Sequence, residues 1–181
     1  MNDAINLSEI KGKAMKFGDG MNTDIIIPSQ YLEDSDPNVF CKYVMAAVRP
    51  TTYEEIQQRG DTIFVGGKDF GSGSSREQAP DAIKYAGVKA VVAESFASIF
   101  FRNCVNVGLP LLEVPDITSH IDEGDEIIVN LEEGTVTKLA TNEVFKGEKI
   151  EPFLLNKLRK GGLIPELREF VKEHGLDVPQ Q

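Results

Sequence analysis

Three short apolar runs in the middle of the chain, separated by stretches with helical spacing, constrain the fold most. Residues 61–67 (DTIFVGG), 88–94 (VKAVVAE) and 109–114 read as buried strands. A helix running to about Ala86 and a second over residues 95–103 lie between them. Strands joined through helices pair in parallel, because a parallel neighbour is reached by a crossover and not by a hairpin. The two ends of the chain carry different signals. Residues 11–17 (KGKAMKF) alternate and predict a strand closed by Gly18-Asp19-Gly20, and residues 24–28 (DIIIP) predict a short buried strand stopped by proline. Residues 125–130, 135–139 and 143–145 predict β-hairpins joined by Glu132-Glu133-Gly134 and Thr141-Asn142. Helices are expected from Asp36-Pro37-Asn38, with Phe40, Tyr43, Val44 and Ala47 on one face, and over residues 52–58 up to Gly60. Two more are expected over 151–160 and 165–174, around Gly161-Gly162. The sum is a mixed α/β fold, a single domain over residues 1–181.

A chain of 181 residues with 41% hydrophobic content can bury one real core. Its net charge of −10 argues against a nucleic-acid binder, which needs clustered Lys and Arg to neutralise phosphates. No apolar run approaches the roughly 20 residues that span a bilayer. Residues 1–13 mix charges and glycine without a signal-peptide core. Cys41 and Cys104 stand apart, with no CxxC or Cys/His spacing, and read as buried small hydrophobes in a reducing compartment. The expected location is the cytoplasm. Two cysteines also fall short of the three or four thiolates that hold an iron–sulfur cluster.

The chemistry-bearing stretch is 66–80, GGKDFGSGSSREQAP. A strand ends, glycines let the backbone bend close to a ligand, and a helix begins whose first N–H groups attract anions. Ser74 and Ser75 add hydroxyls there, and Arg76 adds a guanidinium able to grip a carboxylate through two hydrogen bonds. A purely structural reading competes: Ser74 with Glu77, or Ser75 with Gln78, fits a capping box. Pro80 suits the first turn of the helix. A dinucleotide fingerprint would need glycine where Arg76 stands, a phosphate loop would need Gly-Lys-Ser/Thr, and His120 and His174 lie in polar segments.

Asn22-Thr23-Asp24-Ile25-Ile26-Ile27-Pro28, Tyr31-Leu32, the run 71–80, Ser95 to Asn103 (SFASIFFRN) and Asn106-Val107-Gly108-Leu109-Pro110 occur in one order. In that order they closely resemble the small subunits of 3-isopropylmalate dehydratase and archaeal-type homoaconitase. The likeness runs from about residue 12 to 164, leaving a helical tail at 165–181. It implies the swivelling β/β/α domain of aconitase-type enzymes, a mixed sheet with flanking helices. It also implies a separate large subunit carrying a 4Fe-4S cluster, none being bound by this chain, with the active site between the two. The implied reaction removes and re-adds water on a hydroxy-di- or tricarboxylic acid. The cluster acts as Lewis acid, and Ser74 removes a carbon-bound proton. Arg76 and Ser75 would hold substrate carboxylates, with Thr23 and Asp24 beside the site and Asp24 open to a second reading as an Asx turn.

Two departures stand out. The family's GSSREHAP has Gln78 in place of its histidine here, and Gln78 cannot titrate near neutral pH. Its SFARIFYRN pattern has Ser98 and Phe101 here, while Arg102 and Asn103 are retained and could support the site. In relatives the loop after Tyr31-Leu32 covers the variable part of the substrate. Here Glu33-Asp34-Ser35-Asp36 would repel an additional carboxylate, which weighs against homoaconitate, unless these acids only cap the next helix. The expected substrate is 3-isopropylmalate, interconverted with 2-isopropylmalate in leucine biosynthesis. A 2,3-dimethylmalate, citramalate or homoaconitate hydratase small subunit, and a non-catalytic binding module of the same fold, are the alternatives.

Overall fold

The computed structural model describes residues 5–175. Seven strands form one sheet in the order β4-β3-β2-β1-β5-β6-β7. Strand β1 (Ile10–Lys16) alternates buried and exposed residues from Ile10 to Ala14, and Met15 beside Ala14 is buried as well. It lies at the junction of two kinds of pairing. On one edge it runs parallel to β2 (Thr62–Gly66), which pairs in parallel with β3 (Val88–Ala93), and that strand with β4 (Leu111–Glu113). On the other edge β1 runs antiparallel to β5 (Glu126–Asn130), followed by the hairpin strands β6 (Thr135–Lys138) and β7 (Glu143–Lys146). All five β2 residues are buried, as expected of a strand covered on both faces. Both cysteines are free and buried, and burial pushes the Cys104 thiol well up.

The expected strand at 24–28 is instead a single helical turn, α1 (Thr23–Ile26). The Asn22 side chain accepts from Ile25 N, and the chain becomes extended only at Ile27. A local cap thus prevails over the β-branched run. The next helix is also shorter than its apolar spacing predicts: α2 (Pro37–Phe40) passes into a 3-10 turn (Cys41–Tyr43) and stops. Met45 has φ 57 and donates its N–H to Ile26 O, so the chain turns back onto α1. Helix α3 (Thr52–Arg59) ends at Gly60 as expected. Helices α4 (Gln78–Tyr85) and α5 (Ser98–Val107) form the crossovers.

Helix α5 starts three residues later than its sequence suggests. Residues 95–97 are occupied by pairing with the glycine-rich loop: Phe70 N donates to Ser95 O, Ala97 N to Phe70 O, and Phe70 and Phe96 form an isolated parallel bridge. The tail supplies α6 (Pro152–Arg159) and α7 (Leu163–Glu173). The part of the tail beyond residue 175 lies outside the described residues. No helix among the described residues is long and apolar enough to cross a membrane.

Four charged side chains knit α3 to the turn before β5. Glu55 accepts from Arg49 Nε at 2.9 Å, from Arg49 Nη2, from Arg59 Nη2 at 2.8 Å and from Thr51 Oγ1 at 2.8 Å. Glu123 lies 3.0 Å from Arg49 Nη2 and 2.6 Å from Arg59 Nη1, and accepts the Lys16 N–H.

Candidate functional site

Strands β1, β2 and β3 are adjacent and parallel, so all three release the chain at the same edge of the sheet, where α/β folds place their ligands. The outgoing segments of β1 and β2 stay paired beyond the strands. Gly67 N donates to Gly18 O, Gly20 N to Lys68 O, Gly71 N to Met21 O, and Thr23 N to Ser72 O at 2.9 Å. Asp19 Oδ1 adds a bond from Lys68 N. Gly71 (φ +78) sits so close to α5 that a Cβ there would meet Phe100 Cγ at 2.0 Å. The loop is therefore pressed between α1 and the first turn of α5.

A cavity of about 240 Å³ opens at that junction. Thr23, Ser74 and Arg76 line one side, and Ala97 to Phe100 with Asn103 line the other. Ala97 occupies the cap position just before α5, and its methyl group cannot cap the helix, so the first N–H groups have no side-chain partner there. Neither capping box at 74–78 forms. Glu77 occupies the cap position of α4 with no side-chain bond, and Arg76 N turns back to Ser74 O at 2.8 Å. That turn holds Ser74 and Ser75 outside the helix, exposed, with no hydrogen bond to either hydroxyl among the described residues. Pro80 lies in the first helical turn, where its missing N–H costs nothing.

Arg76 is the most constrained of these groups. Its side chain is 16% exposed, with Nη2 2.8 Å from Asp24 Oδ1 and Nη1 donating to Ile27 O at 2.8 Å. A guanidinium has five N–H donors, so three remain for an anion. The structure thus brings Thr23, Ser74 and Arg76 together and ties Asp24 to Arg76, a carboxylate whose Asx-turn role is taken by Asn22. Ser75 does not line the cavity. Nor do Tyr31, Leu32 or Glu33. Tyr31 stacks on Tyr43 with ring centroids 4.0 Å apart, Leu32 packs against the core, and Glu33 is exposed. Asp36 caps α2 through Asn38 N, the bland reading of the acidic loop at that position. Asn103 reaches the cavity wall whereas Arg102 faces a neighbouring groove. His120 is exposed and stacks on Phe145. The carbonyl of Ile27 as a partner of Arg76 had no sequence signal, since any residue supplies a carbonyl.

Among the described residues no group of three or more His, Cys, Asp or Glu could hold a metal ion. What the cavity offers is hydroxyls, a fixed guanidinium and helix N–H groups, a set suited to a carboxylate and to an oxyanion beside it.

The chain belongs to the aconitase C-terminal domain family, whose model matches residues 12–117. It is 47% identical to the isopropylmalate/citramalate isomerase small subunit of Methanocaldococcus jannaschii, over 92% of this chain and 98% of the relative. It is 46% identical to the 3-isopropylmalate dehydratase small subunit of Aquifex aeolicus, over 89% of this chain and 95% of the relative. The crystal structure of 3-isopropylmalate dehydratase from M. jannaschii superposes with a TM-score of 0.83 at 37% identity, covering 92% of this chain and 99% of that one. The mixed sheet with flanking helices is the fold expected from the sequence resemblance.

Proposed function

We propose that this chain is the small subunit of a hydro-lyase that interconverts 3-isopropylmalate and 2-isopropylmalate, in leucine biosynthesis in the cytoplasm. The names carried by relatives at 46–47% identity support the reaction class. The observation that carries the site is the placement of an unbonded Ser74 hydroxyl and the tethered Arg76 guanidinium on one wall of one cavity. Arg76 grips a substrate carboxylate with its remaining donors, and the N–H groups at the start of α5 favour the same charge. Ser74, as its alkoxide, takes the proton from the carbon next to the hydroxyl-bearing one, the C–H electron pair forms the double bond, and the hydroxyl leaves with the C–O pair as hydroxide, which a proton from solvent converts to water. A serine alkoxide is a costly species, and the nearby donors lower that cost. Asp24 and Thr23 flank the pair. In the assembled enzyme, Ser75 and the Tyr31-Leu32-Glu33 segment complete the substrate contacts.

The relatives' names, each a small subunit, support a partner: an iron–sulfur large subunit closing over the cavity. The 4Fe-4S cluster on that subunit supplies Lewis-acid chemistry toward the substrate hydroxyl. Citramalate is the second reading, favoured by the dual substrate in the name of the M. jannaschii relative. The test is reconstitution with the large subunit under anaerobic conditions. Ser74→Ala is expected to lower kcat by about a hundredfold to ten-thousandfold, the range for a lost general base, with an unchanged melting temperature. Full turnover by that variant would remove Ser74 from the mechanism.

A further inference from the structure

Residues 22–24 make more contacts to the loop than a site-lining turn needs. Thr23 is 2% exposed, and both of its donors are spent on the loop: N–H to Ser72 O at 2.9 Å and Oγ1 to Ser74 O at 3.2 Å. Asp24, one residue on, holds Arg76 Nη2 at 2.8 Å, and the carbonyl of Ile27 at the end of the same turn holds Nη1. Asn22 fixes the turn itself by capping Ile25 N. We infer that α1 is a template for the active loop, in which Thr23 positions Ser74 and Asp24 positions Arg76, neither acting on the substrate. This rests on the function proposed above and gives Asp24, until now only a neighbour of the site, an orienting role.

The geometry separates the two roles. The Thr23 hydroxyl bonds to the backbone carbonyl of the residue that carries the reacting oxygen, so losing it shifts that oxygen without touching the carboxylate grip. Asp24 is 64% exposed and bonds only to the guanidinium, so losing it leaves Arg76 tethered by Ile27 O alone and able to turn about that bond while Ser74 stays in place. Misplacement of a reacting group by about 1 Å costs on the order of a hundredfold.

The test uses the reconstituted two-subunit enzyme. Thr23→Val keeps the side-chain shape and deletes the donor; kcat is expected to fall about tenfold to a hundredfold with KM within twofold of the parent. Thr23→Ser, which restores a hydroxyl, is expected to recover most of that loss. Asp24→Ala is expected to raise KM about tenfold while kcat stays within a few-fold, and Asp24→Asn, whose amide oxygen still accepts, is expected to fall between. The inference is overturned if Thr23→Val and Asp24→Ala leave both constants within twofold. It is also overturned if kcat falls only in proportion to folded protein, measured by thermal melting, with Thr23→Ser no better than Thr23→Val. Should Thr23→Val not fold, the exposed Asp24 variants decide the matter. An inactive parental pair would instead point to a failure of the proposed reaction, a distinct outcome.

Discussion

Replacing Glu55 by Gln tests whether the Arg49–Glu55–Arg59–Glu123 cluster stabilises the fold, and it does so through pH. The hydrogen bonds from Arg49 above all hold the Glu55 carboxyl down from its ordinary 4.5 to about 2. At about 1.36 kcal/mol per pH unit, that difference corresponds to an upper bound of about 3.4 kcal/mol. Glu55 is 24% exposed and its partners are partly solvated, so screening reduces the expected contribution to about 1–2 kcal/mol. A depressed carboxylate pKa stabilises the folded state above the unfolded value, and the contribution disappears as pH falls through the folded one. The window is therefore pH 4.5 down to about 2. Urea denaturation of the parent and of Glu55→Gln at pH 7 is expected to differ by about 1–2 kcal/mol. The gap is expected to shrink steadily below pH 4.5 and to close near pH 2. A gap that stays constant between pH 7 and pH 2 would refute the electrostatic account, because a packing defect does not titrate.

Two further outcomes follow from the site. Arg76→Lys supplies one point charge where a fork now reaches Asp24, Ile27 O and the ligand together. KM in the reconstituted enzyme is expected to rise about tenfold to a hundredfold, the cost of one or two charge-assisted bonds. Gly71→Ala places a methyl group against the Phe100 ring at a positive φ; denaturant titration is expected to show a loss of about 2–4 kcal/mol from overpacking and backbone strain together.

The strands were legible because their signals are local. Alternation in β1, continuous burial in β2 and the charged turns around β6 each mark themselves within a few residues. The misread elements are those in which a cap or a distant partner overrides local preference. Ile25, Ile26 and Ile27 favour a strand by side-chain shape, yet the Asn22 cap makes the first two helical. Ser95 looks like a helix start, yet its carbonyl and hydroxyl are spent on Phe70 and Asp69. The residues of the cavity were visible as motifs, whereas their pairing was not. Asp24 and Arg76 meet only because β1 and β2 deliver them to the same end of the sheet, a fact of topology that no spacing along the chain encodes.

The place of β1 has a consequence for biosynthesis. Its two hydrogen-bonding edges are satisfied by segments that both follow it in the chain but at very different distances: β2 soon after, and β5 only about 110 residues later. At roughly 5–20 residues per second, the ribosome takes about 5–20 seconds to deliver that second partner. Throughout that interval the nascent chain carries a half-paired central strand with an open edge, the template on which stray strands pair. Chaperone demand in the cell is expected to peak before residue 126 emerges, and chains truncated ahead of β5 are expected to aggregate.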